Sequence, residues 1–297
     1  MGFFQGVQRG QRSFGPARGL SSKGLSSVGL AFACLTLASV WSGTAQAQGR
    51  LDARYEATLA GLVVGKGTWV IEVTEDQYSA SASGGSSGLL KAFSSGQGTG
   101  AAVGHIANGQ LVPSSYQATI ASDKKSETIH IQLAGGNIKE SIIEPEPQPT
   151  QGRIPVTDAQ RKGVIDPMTG SLLRVSGTAD PMSPEACKSV SSIFDGRMRY
   201  DLRLEFKRIE TVKTKGYEGQ ALVCAIYFTP ISGYVPDRYA IKYLAGQHNM
   251  EVWMVPVAGT RVLVPFRVEI PTPIGMATLE ATQFVTAATV RTTAKTQ

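Results

Sequence analysis

The sequence predicts an all-β protein, mainly antiparallel. One long sheet curls into an open barrel or β-spiral and carries one or two short helices. Three observations predict this. Apolar residues recur with period two rather than 3.6 along most of the chain. Glycine- and asparagine-rich turns separate those runs. Helical patterns are few and short. With 42% hydrophobic and 18% charged residues in 297, the composition excludes intrinsic disorder, collagen and a coiled coil.

Residues 1–24 are polar, basic and rich in glycine and serine. Leu25 to Val40 is uncharged and mostly apolar, and Ala45-Gln46-Ala47 then supplies a small-x-small motif. This order predicts a signal peptide over 1–47, cleaved after Ala47, and a single β-rich exported domain over 48–297. The apolar run is shorter than the ~20 residues of a spanning helix, so an uncleaved anchor is the weaker alternative. Cys34 follows Ala31-Phe32-Ala33, without a leucine three places back, which argues against lipidation. The net charge of +6 includes Arg9, Arg12, Arg18 and Lys23 of the leader, which leaves 25 basic against 23 acidic residues in the remainder. A body so near neutrality lacks the clustered basic surface that nucleic acid requires.

Along the mature chain, Trp69, Ile71 and Val73 share one strand face, as do Tyr78, Ala80 and Ala82. Ile129, Ile131 and Leu133 alternate with Thr128, His130 and Gln132. Asn108-Gly109 and Gly135-Gly136-Asn137 are placed as hairpin turns. Glu144–Arg153, with Pro145, Pro147 and Pro149, reads as an extended connector. It could divide two domains, but a long loop within one sheet is the preferred reading. Asp166-Pro167 reads as a helix N-cap followed by Pro at the first position, with Met168, Leu172 and Val175 at helical spacing. Ser87 to Phe93 is a second short helical candidate.

The clearest alternation runs from Phe194 to Lys207. Phe194, Gly196, Met198, Tyr200, Leu202, Leu204 and Phe206 take one face, and Asp195, Arg197, Arg199, Asp201, Arg203, Glu205 and Lys207 the other. This predicts one long strand, bent at Gly196, with a buried and a wet face. Ala221 to Phe228 reads as a buried strand. Gln247-His248-Asn249 separates the runs Tyr239–Leu244 and Met250–Val255. Phe266, Val268 and Ile270 mark another strand, and Thr278 to Val285 the last of about a dozen.

Cleavage of the leader leaves Cys187 and Cys224, 37 positions apart. Two cysteines in an oxidising compartment pair, and the spacing is not that of a Cys-x-x-Cys redox site. A structural disulfide is therefore expected.

Little catalytic chemistry is visible. His105, His130 and His248 lack zincin spacing and read as surface residues, so no metal site is expected. Gly96-Gln97-Gly98-Thr99-Gly100 lacks the Gly-Lys-Ser/Thr ending of a phosphate loop and reads as a flexible edge strand. No nucleophile elbow is present. No catalytic residue and no cofactor is assigned. The alternating charges at Asp195, Arg197 and Arg199 read as a solvated ladder of ion pairs, with an ionic ligand as the alternative. Trp69 and Trp253 read as core, with the lining of an apolar ligand cavity as the alternative.

The segment Phe194-Asp195-Gly196-Arg197-Met198-Arg199-Tyr200-Asp201-Leu202 resembles the hallmark of an exported proteobacterial family, domain of unknown function 3108. Asp166-Pro167-Met168-Thr169-Gly170-Ser171-Leu172-Leu173, Val223-Cys224-Ala225-Ile226-Tyr227, Met250-Glu251-Val252-Trp253 and Val264-Pro265-Phe266-Arg267 are similar to further pieces of it. The resemblance implies a periplasmic, mostly β protein and supplies no activity. A looser likeness is to periplasmic lipoprotein carriers, whose open curled sheet has an apolar concave face. The first expectation is thus a non-enzymatic periplasmic protein of the cell envelope. The alternatives are a carrier or binder of lipid, lipoprotein or another apolar ligand, and a hydrolase with an unrecognised site. An envelope protein or a lipid is the expected partner.

Overall fold

The structure is a computed structural model and describes residues 48–288, except 89–95 and 124. The expected leader and most of the Ser87–Phe93 helix candidate lie outside the described residues.

Seven strands form an N-terminal meander: β1 (Gly49–Leu59), β2 (Leu62–Val73), β3 (Gln77–Ser86), β4 (Gln97–Ala107), β5 (Gln110–Ala121), β6 (Ser126–Ala134) and β7 (Asn137–Glu144). A long connector carries α1 (Pro167–Gly170) and the two-residue strand β8 (Leu173–Arg174). There follow β9 (Ser189–Phe194), β10 (Arg199–Thr214), β11 (Tyr217–Ser232), α2 (Tyr239–Ala245), β12 (Met250–Pro256), β13 (Val262–Thr272) and β14 (Gly275–Ala288). The pairing order is β7-β6-β5-β4-β3-β2-β1-β14-β13-β12-β11-β10-β9, with β8 on β13. Neighbouring strands all run antiparallel, and β7 and β9 are the two ends of an unclosed sheet. The all-β, curled-sheet expectation with two short helices is what the structure shows.

Local chemistry explains the turns. Asn108 and Gly109 both have positive φ, as do Gly135 and Gly136, the geometry of tight two-residue hairpins. Asp166 caps α1 by accepting from the Thr169 amide at 2.9 Å, and Pro167 opens the helix.

Several expectations are corrected. Phe194–Lys207 is not one bent strand. It turns back at Asp195–Met198, and β9 pairs with β10 from Phe194↔Arg199 onward. Asp195 Oδ1 accepts from the amides of Arg197 and Met198 at 2.8 and 2.6 Å, and Gly196 has φ +95°. Asp-Gly between alternating apolar runs is a hairpin signal that the unbroken alternation concealed. The charged face of β10 is drier than expected only at its start, because Arg203, Glu205 and Lys207 are exposed as the alternation predicts. The Arg199 side chain is only 12% exposed and pairs with Asp201 at 2.7 Å, whereas Phe206, beside a bulge, is exposed. Gly96–Gly100 is no edge, because β4 lies between β3 and β5. The helix at Asp166 stops after one turn, so Val175 is not on it. The run Tyr239–Leu244 is helical.

The two ends of the sheet approach each other without forming a ladder. The connector lies between them: the Val164 amide donates to Gly136 O at 2.8 Å, and Ile165 exchanges backbone bonds with Ser192 and Phe194, both at 2.9 Å. Ile129, Ile131, Leu133, Val164 and Phe194 form a dry cluster there. Arg197 on the β9–β10 turn pairs with Glu127 on β6.

The main core joins Leu51, Ile71, Tyr78 and Phe284 to Val223, Trp253, Val264 and Phe266. The intervening residues Leu222, Cys224, Val252, Met254 and Leu263 form a second cluster with Ala186 and Cys187. Strands β11–β13 are thus buried on both faces.

Candidate functional site

The second face of β10–β13 is not filled. Leu202 and Leu204 of β10, Ile226 and Phe228 of β11, Met250 and Val252 of β12, and Val268 and Ile270 of β13 stand around a cavity of about 290 Å³. Leu172 and Leu173 of the connector and Leu244 of α2 complete its wall. Among the described residues no charged one lines it; Ser171, Ser189 and Ser191 are its polar members. A second cavity of about 490 Å³ lies between β1, β2, β3 and α1, against Tyr55, Ala57, Trp69, Met168 and Leu279. The two share Ser171, Pro265 and Val268 in their walls. Gly65, Gly67, Gly84 and Gly85 line the second cavity. Bare backbone leaves that wall thin. A Cβ on Gly67 would stand 2.8 Å from Ser83 O. Among the described residues, Lys66 is the second cavity's only charged lining residue.

The connector is held against this face by covalent and polar anchors. Cys187, at the end of a one-turn 3₁₀ helix (Pro184–Cys187), is bonded to Cys224 with their Cα atoms 5.7 Å apart. The expected disulfide is therefore present. It fastens the connector next to Leu222, Val252 and Met254. At α1 the Thr169 hydroxyl donates to Asp166 Oδ2 at 2.6 Å. A hydroxyl has one proton, so Tyr78 must be the donor in its 2.8 Å bond to Thr169. This chain ties β3 to the connector.

Burial raises the Asp166 carboxyl above its ordinary range, against the lowering effect of the Thr169 hydrogen bonds. Burial likewise raises Asp195, against the Met198 and Arg197 amides. Tyr116 is pushed up to about 12, by burial first and then by Asp166 and Asp195. Both carboxylates are occupied in shaping turns, so the geometry gives them work as acceptors rather than as an acid–base pair.

Of the residues singled out in the sequence, Trp69 lines the larger cavity and is 9% exposed. Trp253 does not line either cavity. It lies in the main core, its Nε1 donating to Glu210 at 2.6 Å, with Arg208 and Arg267 near its ring. That bond, together with Arg208, holds the Glu210 carboxyl below its usual range. Asp195, Arg197 and Arg199 stand at the seam and line neither cavity. His105 and His248 are exposed, and His130 bonds Gln132 at 2.9 Å. No group of three potential metal ligands occurs among the described residues. The cavity walls on β11 and β12 were missed. Their residues are apolar, but so are the neighbours that face the other way.

The model of a family described as "Protein of unknown function (DUF3108)" matches residues 54–282. No curated protein matches the chain. Among solved structures, the chain is similar to a beta-barrel-like protein of domain of unknown function DUF1849 from Brucella abortus. The identity is 9%, the TM-score 0.40, and the match covers 82% of this chain and 99% of the other.

Proposed function

Because the chain belongs to the DUF3108 family, whose description assigns no function, we propose one from the geometry: a non-catalytic periplasmic protein that binds an apolar, acyl-chain-like ligand. The observation that carries this is the pair of adjoining cavities, the inner one lined without a single charge among the described residues. Ligand sites commonly enclose ~300–1,000 Å³ behind mostly apolar walls with a few polar groups, which these cavities match. The leader-like N-terminus supports export, and a disulfide suits an oxidising compartment.

Native mass spectrometry of protein recovered from the periplasm tests the reading. The expected result is a co-purifying lipid-like mass, with a fluorescent fatty acid taken up after delipidation. Leu244→Trp, which fills the inner cavity from α2, should reduce uptake. Protein that carries no ligand and ignores the probe would overturn the proposal.

A further inference from the structure

We infer that the tips of the β1–β2 and β13–β14 hairpins form a lip that docks on a lipid bilayer surface and presents the mouth of the larger cavity to it. The inference rests on the cavity reading for its purpose but stands on separate observations.

The first is exposure. Leu62 is 60% and Ile274 70% exposed, and Met276 and Leu279 beside them are also exposed. The two tips are neighbours, joined by the Ala60 amide donating to Met276 O at 2.9 Å. Leu279 belongs both to this exposed group and to the cavity wall. Apolar surface therefore continues from the tips into the cavity.

The second is charge. Residues 57–65 and 270–279 contain no ionisable side chain. Several other turns are charged, with Glu75 and Asp76 after β2, Asp195 and Arg197 after β9, and Lys215 after β10; the Asn108-Gly109 and Gly135-Gly136 turns are uncharged too but carry no exposed large apolar side chain. One cross-strand row further back runs Lys66–Glu56–Glu280–Arg267. Its members pair as Lys66–Glu56, at 3.2 Å, and Arg267–Glu280. An uncharged tip thus ends at a neutral belt of paired charges. From Glu56 to Leu59 is three strand residues, or ~10 Å. An element lying in the bilayer interface buries its apolar face by ~5–10 Å, which places the belt among the headgroups.

The third is the backbone. Burying an unpaired amide in lipid is costly. Pro271 and Pro273 have no amide proton to bury. The Ile274 amide meets the Thr272 hydroxyl at 3.3 Å, and that hydroxyl donates to Gly275 O at 2.6 Å. The tip satisfies much of its own polarity.

The test is flotation of periplasm-recovered protein with phosphatidylcholine vesicles, alone or with phosphatidylglycerol. Wild type should float with both, and the two partitions should agree within about threefold because the belt is neutral. Leu62→Asp/Ile274→Asp should lower partition at least about tenfold without changing the melting temperature, since neither side chain is buried. Ile274→Trp should show a blue-shifted emission on vesicles, quenched by brominated lipid.

Failure of wild type to float, equal flotation of the double variant, or a strict need for phosphatidylglycerol would each overturn the lip. So would a dimer without vesicles that the double variant disperses, because a second copy would then cover the tips. Bound ligand without flotation removes the lip and leaves the cavity reading. Flotation of protein that takes up no ligand does the reverse.

Discussion

The β1–β7 meander and the trio β11–β13 share one sheet but are buried in different ways. In β1 and β2, buried residues alternate with wetter ones, as at Leu51, Ala53 and Tyr55, or Trp69, Ile71 and Val73. In the trio, burial is continuous over Ala221–Ala225, Val252–Val255 and Val262–Val264. The meander has a single packed layer. The trio lies between two, with Trp253 and Val255 in the main core and Val252 and Met254 toward the connector, disulfide and inner cavity. A strand covered on both sides has no wet face to display polar residues, and its sequence becomes a continuous apolar run.

The largest effect that tests this difference comes from the doubly covered trio. Trp253→Ala empties a core site and removes the donor to Glu210. It should cost ~3–5 kcal/mol in urea melts. Val70→Ala, on the opposite face of β2 from Trp69, should stay within about 0.5 kcal/mol. Comparable losses at both positions would mean that the meander also has two packed layers.

Next comes the staple. The disulfide closes a loop of 37 positions and holds the connector over β11 and β12. Cys187→Ser/Cys224→Ser should lower stability by ~2–5 kcal/mol, with the far-UV spectrum kept. Thiol titration of denatured, unreduced protein should find no free thiol among the two. If the connector's anchorage shapes the cavity, the same variant should bind the fluorescent fatty acid more weakly. Unchanged probe binding would show that the bond restrains only the unfolded chain.

The inner cavity itself gives a smaller loss. Leu202 is half-buried and faces empty space on one side. Leu202→Ala should cost about 2 kcal/mol, near the bottom of the usual range, because few contacts remain to be lost there. Ile71→Ala, at a fully buried meander position, should cost more. Equal costs would indicate that the cavity is closed and packed in solution.

The same contrast governs how much the sequence discloses. Period two at Trp69–Val73, Tyr78–Ala82 and Ile129–Leu133 correctly identified their buried faces, because the other side of each strand carries polar residues such as Glu72, Ser79 and Ser81, or His130 and Gln132. The Cys187–Cys224 bond was legible from the expected export and the cysteine count. The inner cavity was not. Val252 and Trp253 are equally apolar, and only the tertiary arrangement decides which faces a void. The β9–β10 hairpin was hidden for another reason. The alternation continues through Asp195–Met198, so the turn leaves no break in phase, and the Asp-Gly pair was its remaining sign. Asp195, Arg197 and Arg199 were read as a solvated ladder, with an ionic ligand as the alternative, on that mistaken strand. The turn instead sends Arg197 to Glu127 on β6, one strand in from the opposite end of the sheet.

The smallest effect concerns those charges. Arg199 and Asp201 pair with side-chain exposures of 12% and 28%, and Asp201 also accepts from the Ser192 hydroxyl at 2.9 Å. Lys213 and Glu218, near the β10–β11 turn, pair at 2.6 Å with 73% and 63% exposure. Water screens the second pair, and holding two long side chains together costs it entropy, so Lys213→Ala should change stability by under ~0.5 kcal/mol. The first pair sits where two strands meet and water is scarce. Arg199→Ala should cost about 1 kcal/mol, moderated because Ser192 still serves the remaining carboxylate. The loss should shrink little in 0.5 M salt, since ions screen exposed pairs far more than sheltered ones. An Arg199→Ala loss as small and as salt-sensitive as that of Lys213→Ala would return β10 to the fully wet face that its alternation suggested.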